Sequence, residues 1–310
     1  MLSIERSAYF VPDTRFVVQT DLARFNINAA QAKVFTKIYG LNQIPYAKDI
    51  SVTDLIEKSV SKLFVDGTVR KQDIKFIIHA HTAKVITRFG QSVIREVKSR
   101  LGLLSATAFG TSLNNCASTL NAFEMAAMLL TCQDKTAKAI IVTGEMAFTP
   151  TVQVIPNTSI TGDAAAAVVV SLNDHNNKLL ALEINTYGKY SRGIWLSEEE
   201  SKDFEKRYVP LLGETINKVV EKTGLSLSDI KMILPHNVNL ISWAKLAKHI
   251  DYPLANIYLE NISKYGHCFG ADILINFTDV QSRQLLNKGD YYLMVTVGLG
   301  ATFAAAVFKY

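Results

Sequence analysis

Apolar residues recur along the chain with two alternating spacings. Short, nearly unbroken apolar runs lie at Asp73-Ile74-Lys75-Phe76-Ile77-Ile78-His79, Ala139 to Gly144, Gly162 to Val170, Asp229 to Leu234 and Leu293 to Gly298. Runs of this length suit strands buried on both faces. Between them the apolar spacing is helical. Leu55, Ile56, Val60, Leu63 and Phe64 follow the opening signal Ser51-Val52-Thr53-Asp54, and Ser92 to Leu101, Leu120 to Leu130 and Tyr208 to Lys222 are likewise amphipathic or apolar helices. Residues 4–19 are strand-rich with a turn at Pro12, and Asp21 is placed to cap an amphipathic stretch running to Tyr39 and stopped by Gly40. The alternation of strand and helix predicts an α/β protein with a largely parallel sheet.

The second half of this pattern repeats the first. Asp229-Ile230-Lys231-Met232-Ile233-Leu234 mirrors Asp73-Ile74-Lys75-Phe76-Ile77-Ile78, and Lys264-Tyr265-Gly266 meets Ala108-Phe109-Gly110 at the same offset. Leu293 to Gly298 answers Ala139 to Gly144, and Gly300 to Phe308 answers Gly162 to Val170 in character. Such echoes in register predict a duplicated α/β unit, with halves at 1–172 and 178–310 and the seam in the polar stretch Asn173-Asp174-His175-Asn176-Asn177-Lys178. Sites in such pairs form where the loops of the two halves meet.

Composition narrows the class. The 310 residues are 48% hydrophobic and 20% charged, ordinary for a globular protein with a sizeable core. No apolar run reaches membrane-spanning length, and Met1-Leu2-Ser3-Ile4-Glu5-Arg6 lacks the features of a signal peptide. Three cysteines without regular spacing give neither a disulfide framework nor a zinc pattern, and the expected compartment is the cytoplasm. The net charge of +5 is scattered without interleaved aromatics. That argues against nucleic acid and suits an acidic protein partner.

The chemistry centres on Gly110-Thr111-Ser112-Leu113-Asn114-Asn115-Cys116-Ala117-Ser118, a polar turn that runs into the Leu120–Leu130 helix. Cys116 near a helix start is either a nucleophile favoured as thiolate or a small buried apolar cysteine. His236, in Pro235-His236-Asn237-Val238-Asn239 directly after a strand, is either a base or oxyanion donor, or a capping or core histidine. Tyr265-Gly266-His267-Cys268-Phe269-Gly270-Ala271-Asp272 lies at the place equivalent to the Cys116 turn, with His267 where a helix begins, a position that favours the neutral ring. Cys268 and His267 lack a third ligand at metal spacing, so no metal site is expected. His79 and His81 read as buried, satisfied histidines. Val297-Gly298-Leu299-Gly300-Ala301 is a glycine turn whose N–H groups suit a substrate carbonyl.

Together these residues resemble the thiolase-fold condensing enzymes, most closely the β-ketoacyl-acyl-carrier-protein synthase III group. The resemblance covers essentially the whole chain. It rests on Asn115-Cys116-Ala117-Ser118, on Gly162-Asp163-Ala164-Ala165-Ala166 for Gly-Asp-Gly-Ala-Gly, on Pro235-His236-Asn237-Val238-Asn239 for Pro-His-Gln-Ala-Asn, and on the terminal glycine turn. It implies two duplicated α/β halves packed as a layered αβαβα core, and typically a homodimer. It further implies an acyltransferase that loads an acyl group on Cys116 from a phosphopantetheine-linked thioester and passes it on by ping-pong chemistry, with no bound cofactor. The N–H groups of Cys116 and Leu299 would form the oxyanion hole, His236 and His267 would be catalytic, and Asn239, Gly298 and Gly300 would bind substrate. His267 stands where synthase III enzymes carry Asn, and Gly-His-Cys-Phe-Gly-Ala is closer to the elongating ketosynthases. Ile241 stands where an Arg usually follows, and the CoA-gripping Arg is replaced near Val152–Ile155. Both losses favour an acyl carrier protein over acyl-CoA as donor. The strand end Ile78-His79-Ala80-His81-Thr82 lacks the Glu of hydroxymethylglutaryl-CoA synthases. The first expectation is an acyltransferase of polyketide or other secondary metabolism, or of a fatty-acid-like pathway, acting on an alcohol or amine. The alternatives are a decarboxylative β-ketoacyl synthase using Cys116, His236 and His267, and a non-catalytic partner subunit of a heterodimer.

Overall fold

Each short apolar run of the sequence forms a strand, because pairing satisfies its backbone while both faces stay dry. In the computed structural model, which describes residues 1–82, 87–173 and 176–310, these strands are β1 (Ser3–Phe10), β2 (Ile74–Ala80), β3 (Thr107–Thr111), β4 (Lys138–Glu145), β5 (Ala164–Ser171), β6 (Lys178–Thr186), β7 (Ile230–Pro235), β8 (Tyr291–Gly298) and β9 (Thr302–Lys309). They join in one sheet of order β7-β8-β9-β6-β1-β5-β4-β2-β3. Asp174 and His175 of the polar seam lie outside the described residues.

The longer helices are α1 (Val52–Ser61), α2 (Val93–Arg100), α3 (Ser118–Leu130), α4 (Glu198–Glu221), α5 (Leu240–His249) and α6 (Asp272–Ser282). Ser51 caps α1 through a reciprocal bond with Asp54, as its sequence signal implies. The same device at Ser197 and Glu200 starts α4 ten residues before the expected Tyr208. The stretch from Asp21 to Tyr39 is not one helix. Asn26 adopts left-handed φ of 50°, ending Leu22–Phe25, and Asn28 caps a new helix at Ala29.

The sheet is mixed rather than largely parallel. Among the described residues β2 pairs parallel with β3 and β4, and β7 with β8, while the other five neighbouring pairs are antiparallel. The reason is that β9 folds straight back on β8 through the glycine turn, and β5 runs back against β4.

Alternate residues of the central strands face different cores, as the pleat requires. Ala164, Ala166, Val168 and Val170 of β5 and Ala304, Ala306 and Phe308 of β9 share one core with α3 and α6. Ala165, Ala167 and Val169 face α1 and α2, whereas Phe303, Ala305 and Val307 face α4 and α5. The layers therefore run helix, sheet, helix, sheet, helix, with α3 and α6 in the middle. The strand orders β1-β5-β4-β2-β3 and β6-β9-β8-β7 repeat one another. The counterpart of β3 is reduced to a single parallel bridge, Ile233 with Ile257. Lys264-Tyr265-Gly266 is accordingly no echo of Ala108-Phe109-Gly110. It ends the short helix Glu260–Tyr265, because the second half spends fewer residues on its outer strand.

A candidate active site where the two halves meet

Both central helices start in the same way. A residue at left-handed φ, Asn115 at 49° and Phe269 at 53°, opens a 3₁₀ turn that feeds α3 or α6. Cys116 sits inside the first turn and the second turn packs against it. The Thr119 hydroxyl donates to the Gly270 carbonyl at 2.9 Å, and a Cβ on Gly270 would lie 2.5 Å from Thr119 Oγ1. The glycine turn closes the other side. A Cβ on Gly298 would fall 1.8 Å from the Asn114 carbonyl oxygen, and the Asn115 amide donates to the Leu299 carbonyl. Gly300, at φ 124°, takes a conformation that side chains disfavour. Cys116, Leu299, Gly298 and Gly300 are thus neighbours, brought together by backbone-to-backbone contact.

His267 reaches the same point from the second half. Its backbone is clamped by residues 160–163: the His267 N–H donates to the Ile160 carbonyl at 3.0 Å, and the Gly162 N–H to the His267 carbonyl at 2.9 Å. Asp163 in turn accepts the N–H groups of Ala47 and Ala147, both at 2.8 Å. The Gly162-Asp163 stretch therefore aims His267 rather than touching the thiol. His267 Nε2 lies 3.6 Å from Cys116 Sγ, and its Nδ1 lies 2.6 Å from Asp272 Oδ2. Asp272, wholly buried, also accepts the N–H groups of Asn237 at 2.6 Å and Cys268 at 2.7 Å. Burial alone lowers the pKa of the His267 ring, but the Asp272 carboxylate and the Cys116 sulfur outweigh it and push it up to about 10. The expectation of a neutral ring at a helix start is overturned. The helix begins five residues later, at the carboxylate itself.

His236 follows β7 and is fixed by the Trp243 indole N–H, which donates to its carbonyl at 3.0 Å. Its ring centroid is 6.0 Å from that of His267. Burial, and then His267, lower its pKa to about 3, so the ring is neutral. Nε2 lies 3.1 Å from the hydroxyl of Tyr208, on α4, and the Val295 backbone partly offsets the lowering. Asn239, expected to bind substrate, is committed elsewhere: its Oδ1 caps α5 at Ser242 and its Nδ2 donates to the Thr158 carbonyl. His79 is buried against the Gly144 carbonyl at 3.3 Å and stacked on His81.

Three contributors escaped the sequence reading. Thr82, just past the end of β2, donates its hydroxyl to Cys116 Sγ at 3.3 Å. Asp272 stands five residues after His267, at the start of an apolar helix, which is a readable signal. Tyr208 comes from a helix 28 residues before His236, and no local pattern marks it.

A cavity of about 460 Å³ is lined by Phe25, Phe35, Tyr39, Val154, Ile194 and Trp195 together with polar side chains such as Asn26 and Gln31, and has no Lys or Arg in its lining. Gly193, next to Ile194, lies against Leu299. Among the described residues no group of His, Cys, Asp and Glu is arranged to hold a metal, and no helix is long and apolar enough to cross a membrane.

Known proteins share this arrangement of elements. Residues 220–310 match the family described as 3-oxoacyl-[acyl-carrier-protein] synthase III, C terminal. The chain is 24% identical to β-ketoacyl-[acyl-carrier-protein] synthase III of Fusobacterium nucleatum, over 100% of this chain and 98% of that one. The acyltransferase ChlB3 superposes with a TM-score of 0.88 at 18% identity, covering 99% of this chain and 97% of the other. Synthase III of Aquifex aeolicus superposes with a TM-score of 0.84 at 20% identity, covering all of both chains. The chain has the thiolase-like fold and is similar over its whole length to β-ketoacyl-[acyl-carrier-protein] synthase III.

Proposed function

We propose that the chain is a thioester-dependent acyltransferase, with Cys116 as nucleophile, His267 as acid and base, and Asp272 as the carboxylate that orients and charges His267. The observation that carries this reading is the unbroken chain Cys116 Sγ, His267 Nε2, His267 Nδ1, Asp272 Oδ2, with links of 3.6 and 2.6 Å. The Cys116 thiolate attacks the donor carbonyl. The new C–S bond forms, the old one breaks, and the departing thiolate takes the proton from His267 Nε2. The acceptor X–H then adds to the acyl-enzyme, giving its proton to His267 as the C–X bond forms. Collapse of the oxyanion breaks the Cys116 thioester and restores the thiolate–imidazolium pair. The N–H groups of Cys116 and Leu299 would hold the oxyanion in both halves, and the Asn115–Leu299 bond supports that placement.

The donor is a phosphopantetheine-linked acyl group on a carrier protein. A largely apolar cavity without Lys or Arg suits the pantetheine arm and offers no charged partner to the phosphates of CoA. A homodimer is supported by β3, a half-exposed outermost strand followed by Leu113 at 91% exposure. Decarboxylative condensation is the second reading, favoured by the nearness of His236 to His267. The engagement of His236 by Tyr208 weighs against it, and the intact Cys-His-Asp set weighs against a non-catalytic subunit. After mixing with acyl-loaded carrier protein, the intact mass of the wild type should rise by the acyl group and that of Cys116→Ala should not. An adduct that persists in the variant would sink the assignment.

A further inference from the structure

We infer that Asn276 is a positioning residue of the site: through Asn237 it holds the Asp272 carboxylate in place toward His267. The inference rests on the acyltransfer reading and adds to it the part that keeps Cys116, His267 and Asp272 aligned. Asn237, Asn261 and Asn276 are all fully buried, and Asn276 stands on α6 among Leu274, Ile275 and Phe277. A buried amide lowers stability unless the groups it carries are bonded. Three in one line are a burden that an all-apolar core avoids, so they mark a geometry that apolar packing does not fix.

The line joins the two loops that carry the histidines. Asp272 Oδ2 accepts from the Asn237 N–H and from His267 Nδ1, both at 2.6 Å. Its Oδ1 accepts the Cys268 N–H at 2.7 Å and faces the Asn237 amide nitrogen at 3.4 Å. Asn237 thus meets both oxygens, one from its backbone and one from its side chain. Asn276 lies four residues after Asp272, on the same face of α6. Its amide nitrogen donates to Asn237 Oδ1 at 2.9 Å and to the Pro235 carbonyl at 2.7 Å, the residues on either side of His236. With its oxygen pinned by Asn276, the Asn237 amide turns its N–H side to Asp272.

The direction of the line is imposed from its far end. Asn276 Oδ1 accepts from Asn261 Nδ2 at 2.9 Å, and Asn261 Nδ2 also donates to Asp279 Oδ2 at 2.8 Å. Asp279 Oδ1 accepts the Tyr9 hydroxyl at 2.7 Å. Asn261 uses both amide protons in this way and leaves its own oxygen without a partner among the described residues. Reversing any one amide would set oxygen against oxygen at the next link. Each member therefore has one orientation, and the last N–H points at the carboxylate that charges His267. Donors on a carboxylate favour its charged form, and so favour the ion pair with His267.

The test follows alkylation of Cys116 by iodoacetamide from about pH 5 to 10, with urea midpoints, all in a Cys132→Ser background. Besides Cys116, the titratable groups against the His267–Asp272 pair are His236 and Cys268, and neither is bonded to Asn276 among the described residues. Asn276→Leu branches at the same carbon as the native side chain and carries no polar group. It is expected to slow alkylation about three- to tenfold near pH 7 and to approach the wild-type rate toward about pH 10, where a thiol ionises unaided. Val280→Ala, equally buried on the same helix but outside the line, is expected to lower the urea midpoint and keep the wild-type profile. Asn237→Ala is expected to shift the profile as Asn276→Leu does, and the two together to add nothing further. A folded Asn276→Leu protein with the wild-type profile overturns the inference, as does an equal shift in Val280→Ala. If Asn276→Leu does not fold, Asn237→Ala decides, and an unchanged profile there overturns the inference. Uptake of the acyl group from octanoyl-N-acetylcysteamine is read by intact mass on the same proteins. No uptake by the wild type would end the acyltransfer reading, while the alkylation profiles still decide the role of Asn276.

Discussion

Neutralising Asp272 isolates what the carboxylate does. At 2.6 Å and an effective dielectric constant near 20, its attraction for a charged His267 is about 6 kcal/mol, or roughly four pKa units. Burial pulls the other way by about three to five units. With Asp272 present the balance raises the ring to about 10; without it, only the Cys116 sulfur is left to oppose burial, and the ring is far less readily charged. In Asp272→Asn the imidazolium facing Cys116 is therefore expected to be depleted at neutral pH. Alkylation of Cys116 by iodoacetamide, followed from about pH 5 to 10, should slow at least about tenfold near pH 7, and acyl transfer should fall about a thousandfold. Cys132 is exposed and would add a background, so both proteins carry Cys132→Ser. Asp272 also accepts the N–H groups of Asn237 and Cys268, which an Asn amide matches poorly, so melting is measured alongside. His267→Gln removes the same charge and leaves those bonds alone. A folded Asp272→Asn protein with the wild-type alkylation profile would refute the ion-pair account.

Two further outcomes follow from packing and burial. Gly298→Ala places a methyl 1.8 Å from the Asn114 carbonyl oxygen, so the glycine turn must leave the Cys116 turn. Stability should fall by about 2 kcal/mol and acyl loading nearly vanish, read by urea midpoints and intact mass; an active, fully stable variant would disprove the docking. Stability should also peak near neutral pH. His79 and His236, both lowered to about 3, stabilise above pH 6.5, and that stability is lost as pH falls from 6.5 toward 3, at up to about 1.4 kcal/mol per pH unit each. His267, raised to about 10, does the reverse: its contribution is complete below 6.5 and is lost as pH rises from 6.5 through 10. Urea midpoints that keep rising on acidification below about pH 6 would contradict the burial of neutral His79 and His236.

Much of this was legible in the order of residues. Apolar runs such as Ala139–Gly144 can only be buried strands, and the recurrence of the whole pattern announced the duplication. Cys116, His236 and His267, which the structure brings together, stood out in the sequence because each follows a strand or turn that local spacing marks. Asp272 was in view but assigned nothing, since its role depends on the rotamer of His267. Tyr208 was out of reach because helical neighbours say nothing about what lies across a sheet edge. Asn239, named from family likeness, caps a helix, and an Asn three residues before Ser242 at a helix start is an ordinary capping signal. Strand direction was misjudged for a similar reason. Apolar content reports burial on both faces, and burial is the same for either direction.

The unequal ends of the sheet have a consequence for growth. Among the described residues β3 ends the large sheet at one rim with no strand beyond it, while at the other rim a single bridge from Ile257 lies against β7. A sheet open at both rims could add copies head to tail without limit and polymerise. With one rim partly covered from within, two copies that meet through β3 join their more open rims and leave a less inviting edge for further growth.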